Sequence, residues 1–171
     1  MSGGVRNVVV SNCIFHGTDN GIRIKSQRGR GGVVEGISIS NIVMEDVPHP
    51  FTITSFYAGK DRPSDTFAVN EGTPELRDIL ISNVSARGAV DGGSITGLRE
   101  MPIHDITFSN VHIASQKGFV CTNAADVHFV DCVIHAEQGA GLIQNDCLGI
   151  DAAGLRSVGG HEGDSARVGA N

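Results

Sequence analysis

The amino-acid sequence predicts an all-β protein, a right-handed parallel β-helix of about five to six coils. Three observations predict this fold. One short pattern of alternating apolar residues recurs along the chain, an Asn or Asp stands at the same place in each copy, and no segment shows the apolar periodicity of an ordinary helix. A single coil of such a repeat cannot bury its own apolar side, so the coils must stack on one another.

Five segments carry the repeated pattern. They are NVVVSNCIF (7–15), GISISNIVM (36–44), DILISNVSA (78–86), DITFSNVHI (105–113) and DVHFVDCVI (126–134). Each contains one marker residue, which we number as position zero: Asn12, Asn41, Asn83, Asn110 or Asp131. Positions −4 and −2 are always apolar, as in a strand with one buried face, and so are positions +1 and +3. The change of phase at the marker predicts a corner, because Asn and Asp tolerate the left-handed backbone conformation. We interpret the markers as structural residues that stack and bond between coils.

A second short strand follows each corner. These strands are GIRIKS (21–26), PFTITS (50–55), GSITG (93–97), GFVCT (118–122) and GLIQN (141–145), and a weaker sixth copy of the main pattern runs from Ile150 to Leu155. The main alternative is a leucine-rich repeat, which also places an Asn after an alternating strand. Ile and Val dominate this chain where that repeat requires leucine, so the sequence favours the β-helix.

Length and composition fit one domain. The chain has 171 residues, a size typical of a single domain of roughly 100–200 residues. We expect the partial β-helix to occupy residues 1–157. Residues 158–171 are rich in glycine and poor in apolar side chains, so we expect a disordered tail there.

Charge and cysteine usage exclude several functions. The net charge is −6, yet residues 1–30 carry five basic side chains and one acidic side chain. This concentration predicts a local anion site rather than a nucleic-acid-binding face. No apolar run is long enough to span a membrane, and the N-terminus lacks a signal-peptide pattern, so we expect no membrane association. The four cysteines have no CxxC spacing, so we predict free apolar thiols, no metal site and no cofactor.

The segment GTDNGIRIKSQRGRGG (17–32) is the strongest candidate site. If Ile22 and Ile24 face the core, then Arg23 and Lys25 project from the outer face of the same strand, about 6.5–7 Å apart. A planar guanidinium beside an ammonium group suits the carboxylate of a ligand. Small hydroxyl side chains are expected on the same face of the following coils, at Thr52, Thr54, Ser94 and Thr96, and suit a sugar chain. Two ordinary solvated cations at a sheet edge explain the same spacing equally well.

At these residues the chain resembles family 28 of the glycoside hydrolases, the polygalacturonases that degrade the pectin of plant cell walls. The resemblance covers SGGVRNVVVSNCIFHGTDNGIRIKSQRGRGGVVEGISISNIVMEDV and continues more loosely to about residue 157. It implies a parallel β-helix of the pectin-lyase-like type. It also implies that Arg23 and Lys25 bind a galacturonate carboxylate, that Tyr57 contacts the substrate, and that the intact enzyme is secreted or periplasmic.

The catalytic motifs of that family are not found in this chain. Its members hydrolyse galacturonan with inversion, using aspartates in Asn-x-Asp and Asp-Asp motifs together with a Gly-His-Gly motif, and all three precede the stretch that begins here at Ser2. We therefore expect a β-helix truncated at its N-terminal end, which keeps the Arg-Ile-Lys element and has no catalytic residue. Its first coil would expose an unpaired edge and an open core that favour self-association.

Two further residues lie near this site in the sequence. Asp19 is interpreted as a turn former that Lys25 keeps ionised, and His49 is explained better as an ordinary loop residue than as a residue that lines the cleft. The alternatives are a noncatalytic β-helix that binds carbohydrate or serves a structural role, and a calcium-dependent lyase, which would need clustered acids on one sheet.

Overall fold

The computed structural model describes residues 3–57, 59 and 61–158. These residues form eleven strands and no helix, so none of them belongs to a helix long and apolar enough to cross a membrane. The strands are β1 (Val5–His16), β2 (Asn20–Lys25), β3 (Val33–Glu45), β4 (His49–Thr54), β5 (Glu75–Asp91), β6 (Ser94–Thr96), β7 (Ile103–Thr122), β8 (Ala124–Val130), β9 (Cys132–Asn145), β10 (Leu148–Asp151) and β11 (Leu155–Val158). The predicted disordered tail lies outside the described residues except for Val158, which ends β11.

All the strand pairs are parallel, and each of the first five coils passes through three sheets, whereas the described part of the sixth coil, β10 and β11, contributes to two. The first sheet contains the residues before each marker and the second sheet those after it. The third sheet contains β2, β4 and β6 with the last residues of β7 and β9. Position −4 of the repeat forms one continuous column: Val8, Ile37, Ile79, Ile106, Val127 and Ile150. The predicted parallel β-helix, its register and its weak sixth copy are therefore confirmed.

The markers form the corners that the sequence predicted. All five have a positive φ, between 51° and 58°. The Asn41 amide donates to Asn12 Oδ1 at 3.1 Å, Asn83 donates to Asn41 at 3.2 Å, and Asn110 donates to Asn83 at 2.8 Å. Each amide thus joins one coil to the next. The structural interpretation of the markers is confirmed.

A second column of left-handed residues lies five positions before each marker. It consists of Asn7, Gly36, Asp78, Asp105, Asp126 and Gly149, with φ between 50° and 65°. This corner was not predicted, although the five repeats begin with Asn, Gly or Asp, which adopt the left-handed conformation most readily. The first-sheet strand is therefore a run of four residues held between two left-handed corners.

The core is apolar and contains a cluster of phenylalanines. Phe108 stacks on Phe129 at 5.1 Å between ring centroids and meets Phe119 and Phe51 edge-on at 5.3 and 5.6 Å. All four cysteines are free, as predicted, and Cys121 and Cys132 are buried in this core. Burial raises the pKa of both of these thiols, so they behave as apolar side chains.

The first coil differs from those beneath it. Val8, Val10 and Phe15 point toward the core but are only partly buried, whereas their second-coil partners Ile37 and Met44 are buried. Among the described residues, β1 pairs only with β3 and β2 only with β4. A concavity of about 450 Å³ opens at this end, with apolar walls and with Arg23 and Lys25 at its margin. An apolar surface and two strand edges are thus exposed together.

Candidate functional site

The outer face of the third sheet carries the two cations that the sequence analysis singled out. On β2 the side chain of Ile22 is buried and that of Ile24 packs against the core, while Arg23 and Lys25 are exposed. The alternation of the strand therefore places both cations outward, as predicted. Within the described part of the chain, neither makes an ion pair with a carboxylate. Both remain available to an anionic ligand.

The predicted hydroxyl groups continue down the same face. Arg23 pairs with Thr52, which pairs with Ser94, and Lys25 pairs with Thr54, which pairs with Thr96. These side chains form two columns that run across the coils. A ligand that contacts both cations therefore meets neutral hydrogen-bonding groups on the coils that follow.

Tyr57 lies beside Lys25. It follows β4, one coil beyond β2, and its ring centroid is 3.6 Å from Lys25 Nζ. A cation at this distance is attracted to the face of the ring. The contact holds the ammonium group at the sheet surface, and the tyrosine itself remains 42% exposed. The three residues Arg23, Lys25 and Tyr57, which we call the cation clasp, thus lie together.

Arg28 is not part of the clasp, although it contributes to the basic N-terminal segment. Its Nε and Nη2 donate to the two carboxylate oxygens of Glu100 at 2.6 and 3.0 Å, and Nη1 donates to Asp61 at 3.0 Å. The Glu100 side chain is only 5% exposed and that of Arg28 14%. The guanidinium also lies 4.5 Å from the ring centroid of Phe67. Arg28 therefore ties together three separate loops.

Arg28 and Glu100 shift each other's pKa. The hydrogen bonds from Arg28 lower the pKa of Glu100, and the same bonds raise the pKa of Arg28. Arg6 is likewise paired, with Glu35 at 2.6 Å. Two of the five basic residues in the N-terminal segment are thus neutralised by acids from later coils. Fewer cations are therefore available to an anion than the five basic residues of this segment suggest.

A small pocket adjoins the clasp. Its volume is about 230 Å³, and its walls include Gln27, Arg28, Ser55, Phe56, Tyr57 and Asp61. The hydroxyl of Ser55 is buried and has no hydrogen-bond partner within the described residues. A buried hydroxyl without a partner is unfavourable unless a ligand or water supplies one. This pocket could not be predicted from the sequence, because loops far apart in the chain form it.

His49 and Asp91 form a second polar pair on this side of the molecule. His49 Nδ1 lies 2.6 Å from Asp91 Oδ2, and Asp91 Oδ1 accepts from the backbone of Gly93 at 3.0 Å. His49 pairs with Asn20 on β2, so it lies one coil below the start of the strand that carries Arg23. Whether His49 lines a substrate cleft stays a prediction.

Asp19 lies in the turn before β2, in keeping with its interpretation as a turn former. The expected influence of Lys25 on it stays a prediction. Among the described residues, no group of three or more His, Cys, Asp or Glu side chains is arranged to hold a metal ion.

The fold and the clasp together define a class of protein, a parallel β-helix that presents a pair of exposed cations and columns of hydroxyls on one sheet face. Comparison with known proteins is more specific. The model of glycosyl hydrolases family 28 matches residues 2–134, and the chain belongs to this family.

Curated relatives agree with the family model. The chain is 31% identical over 122 residues to an endo-polygalacturonase of Pectobacterium carotovorum subsp. carotovorum, covering 70% of this chain and 28% of the relative. It is 26% identical over 125 residues to an exopolygalacturonase of Rhizopus delemar, covering 70% of this chain and 34% of the relative. It is 30% identical over 132 residues to a probable polygalacturonase of Vitis vinifera, covering 74% of this chain and 26% of the relative. The chain thus spans about a quarter to a third of the length of these relatives. No solved structure matches it significantly.

Proposed function

We propose that this chain is part of a polygalacturonase-like glycoside hydrolase that acts on galacturonan, the acidic polymer of pectin, and that the cation clasp binds a galacturonate carboxylate. The observation that carries the proposal is the pair of outward, unpaired cations on β2 with Tyr57 beside Lys25. The family membership and the names of the relatives support the same substrate class.

Each residue of the clasp has a distinct role in this proposal. Arg23 offers a planar fork that can donate two parallel hydrogen bonds to one carboxylate and so fix its orientation. Lys25 supplies a compact charge that attracts the same group but does not orient it. Tyr57 restrains Lys25 and presents a ring edge and a hydroxyl to the sugar.

We propose that the 171-residue chain binds such a sugar without hydrolysing it. Hydrolysis with inversion needs one carboxyl as acid and another as base, about 6.5–9.5 Å apart. The Asp-Asp and Gly-His-Gly motifs of the family do not occur in this sequence. Among the described carboxylates near the clasp, those of Glu100 and Asp61 already accept hydrogen bonds from Arg28. The carboxylate of Asp91 is already paired with His49. Release of reducing ends from polygalacturonate by the pure chain would overturn this part of the proposal.

The binding site is tested by titration of the protein with trigalacturonate, followed by NMR or calorimetry. Arg23→Ala and Lys25→Ala should each weaken binding about tenfold, the effect of losing about 1.4 kcal/mol from one charge-assisted hydrogen bond. Arg30→Ala is the matched control, because Arg30 is exposed in the same segment but lies beyond β2. A neutral galactose trimer should bind no variant measurably. Unchanged binding by both clasp variants would instead favour a noncatalytic β-helix that recognises sugars elsewhere.

We further propose that the open end of the β-helix, formed by β1 and β2, binds a second copy of the chain. Partly buried Val8, Val10 and Phe15 and two free strand edges occur there together. Pairing of two such ends would cover both features at once. Sedimentation across a concentration series should show a dimer that Val10→Lys abolishes while circular dichroism stays unchanged. A dispersed monomer for the unaltered protein overturns this proposal.

The intact enzyme that contains this β-helix is proposed to be secreted or periplasmic, where its polymeric substrate is accessible. We propose that no cofactor, nucleic acid or membrane takes part in the hydrolysis of galacturonan by the intact enzyme.

A further inference from the structure

Positive charge on the outer face of the third sheet is concentrated at the first coil. Below Arg23 the same column continues through Thr52, Ser94, Val120 and Ile143, and below Lys25 it continues through Thr54, Thr96, Thr122 and Asn145. None of these eight side chains is ionisable. A chain of uronates lying along these columns would therefore place only its first carboxylate against cations.

The column below Arg23 becomes apolar in the lower coils. Val120 is partly buried and Ile143 is 43% exposed, and they follow each other in the column below Arg23. Burying a carboxylate against apolar side chains without a partner is unfavourable. A methyl group or the apolar face of a sugar ring gains by the same contact. This part of the surface therefore favours an uncharged sugar unit.

The pocket beside Tyr57 gives an independent indication of the same preference. Arg28 in its wall is already satisfied by Glu100 and Asp61, so the three groups carry a net negative charge. The pocket also offers the unpartnered hydroxyl of Ser55 and the rings of Phe56 and Tyr57. With Lys25 against the Tyr57 ring, the charges around the pocket balance and leave no surplus cation for an anion, whereas a neutral acceptor such as an ester carbonyl or a sugar hydroxyl satisfies Ser55.

We propose that the site takes a pectic segment in which one free carboxylate is followed by uncharged pyranose units. The free carboxylate binds Arg23 and Lys25. The uncharged units lie on the columns of later coils and beside the Ser55 pocket. This inference rests on the proposed function and narrows its substrate class. The uncharged unit is either a methyl-esterified uronate or a neutral deoxy sugar, which share a hydroxyl-bearing ring and an apolar methyl group.

Four oligosaccharides test the inference when each is titrated into the 171-residue protein. They are a galacturonate trimer with three free carboxylates, the same trimer with one free carboxylate and two methyl esters, the fully esterified trimer, and an alternating galacturonate–rhamnose oligomer. We expect the mono-acid trimer or the alternating oligomer to bind at least as tightly as the tri-acid, and the preferred one identifies the neutral unit. The fully esterified trimer should bind at least tenfold more weakly than the mono-acid.

Two variants sharpen the test. Ser94→Lys places a cation two coils below Arg23 and should increase affinity for the tri-acid several-fold relative to affinity for the mono-acid. Ser55→Ala should weaken binding of the mono-acid, and Ser85→Ala, on the second sheet, is its control.

The outcomes separate the two proposals. Tighter binding with each added free carboxylate on the unaltered protein overturns the inference but leaves the proposed function standing. Equal binding of all four sugars, or of none, overturns the proposed function and the inference with it.

Discussion

The column of marker amides makes a quantitative prediction about Asn83. Its side chain donates to Asn41 at 3.2 Å and accepts from Asn110 at 2.8 Å, and its φ is 53°. Both hydrogen bonds are solvent-exposed, so we assign each about 0.5 kcal/mol, the lower end of the usual range. A left-handed conformation costs an ordinary L-residue such as alanine about 1 kcal/mol or slightly more. Asn83→Ala should therefore lower the free energy of unfolding by about 2 kcal/mol.

Asn83→Gly separates the two contributions. It loses both hydrogen bonds but adopts a positive φ without strain, at the cost of greater freedom in the unfolded chain. We expect it to be about 0.5 kcal/mol more stable than Asn83→Ala. Ser85 lies two residues later in the same strand and has no positive φ, so there Ala should be more stable than Gly. The order of the two substitutions therefore reverses between the positions.

Urea unfolding monitored by circular dichroism gives the free energy of unfolding of all four variants. The four curves are fitted with one common dependence of that free energy on urea concentration. If Asn83→Ala is as stable as Asn83→Gly, the left-handed corner does not contribute as argued. If both variants match the unaltered protein, the ladder of amides does not join the coils energetically.

Three further predictions concern buried charge and thiols. Arg28→Ala leaves the nearly buried Glu100 without its main partner and should lower the free energy of unfolding by about 3 kcal/mol, the lower end for a broken buried pair. Arg77→Ala, at a more exposed ion pair with Glu35, should have a smaller effect in the same urea assay. Arg28 lowers the pKa of Glu100. At a pH above the ordinary pKa of a glutamate, the pair therefore contributes its full stabilisation to the fold. This contribution should be lost as the pH falls through the lowered pKa of Glu100. Glu100→Gln should remove that part of the pH dependence of urea unfolding, and an unchanged profile would contradict the assignment. Cys13 and Cys147 should react with a thiol reagent before Cys121 and Cys132, and equal rates would show that the core opens freely.

The regular part of this fold was predictable because its signal is local and repeated. Alternation with period two sets which side chains face inward, and one marker per coil sets the register, so Arg23 and Lys25 were placed outward from sequence alone. The corner at Asn7 and its equivalents carried the same kind of signal and was overlooked. By contrast, Arg28 and Glu100 are 72 residues apart and meet through irregular loops. No periodic pattern relates them, so neither the ion pair nor the Ser55 pocket could be predicted.

Arg28 stabilises the fold through its ion pairs, whereas Arg23 is expected to add nothing to the stability of the fold. The sheet holds Arg23 beside Lys25, and two like charges about 7 Å apart repel by about 0.6 kcal/mol in water. Lys25 gains from Tyr57, whereas Arg23 has no such contact with a ring or carboxylate among the described residues. Arg23→Ala should therefore leave the melting temperature unchanged or slightly raised at low salt, and added salt should remove any gain. The same change should weaken trigalacturonate binding, because the repulsion that the ligand relieves is then gone. A loss of more than about 1 kcal/mol of stability would instead place Arg23 among the residues that hold the coils together.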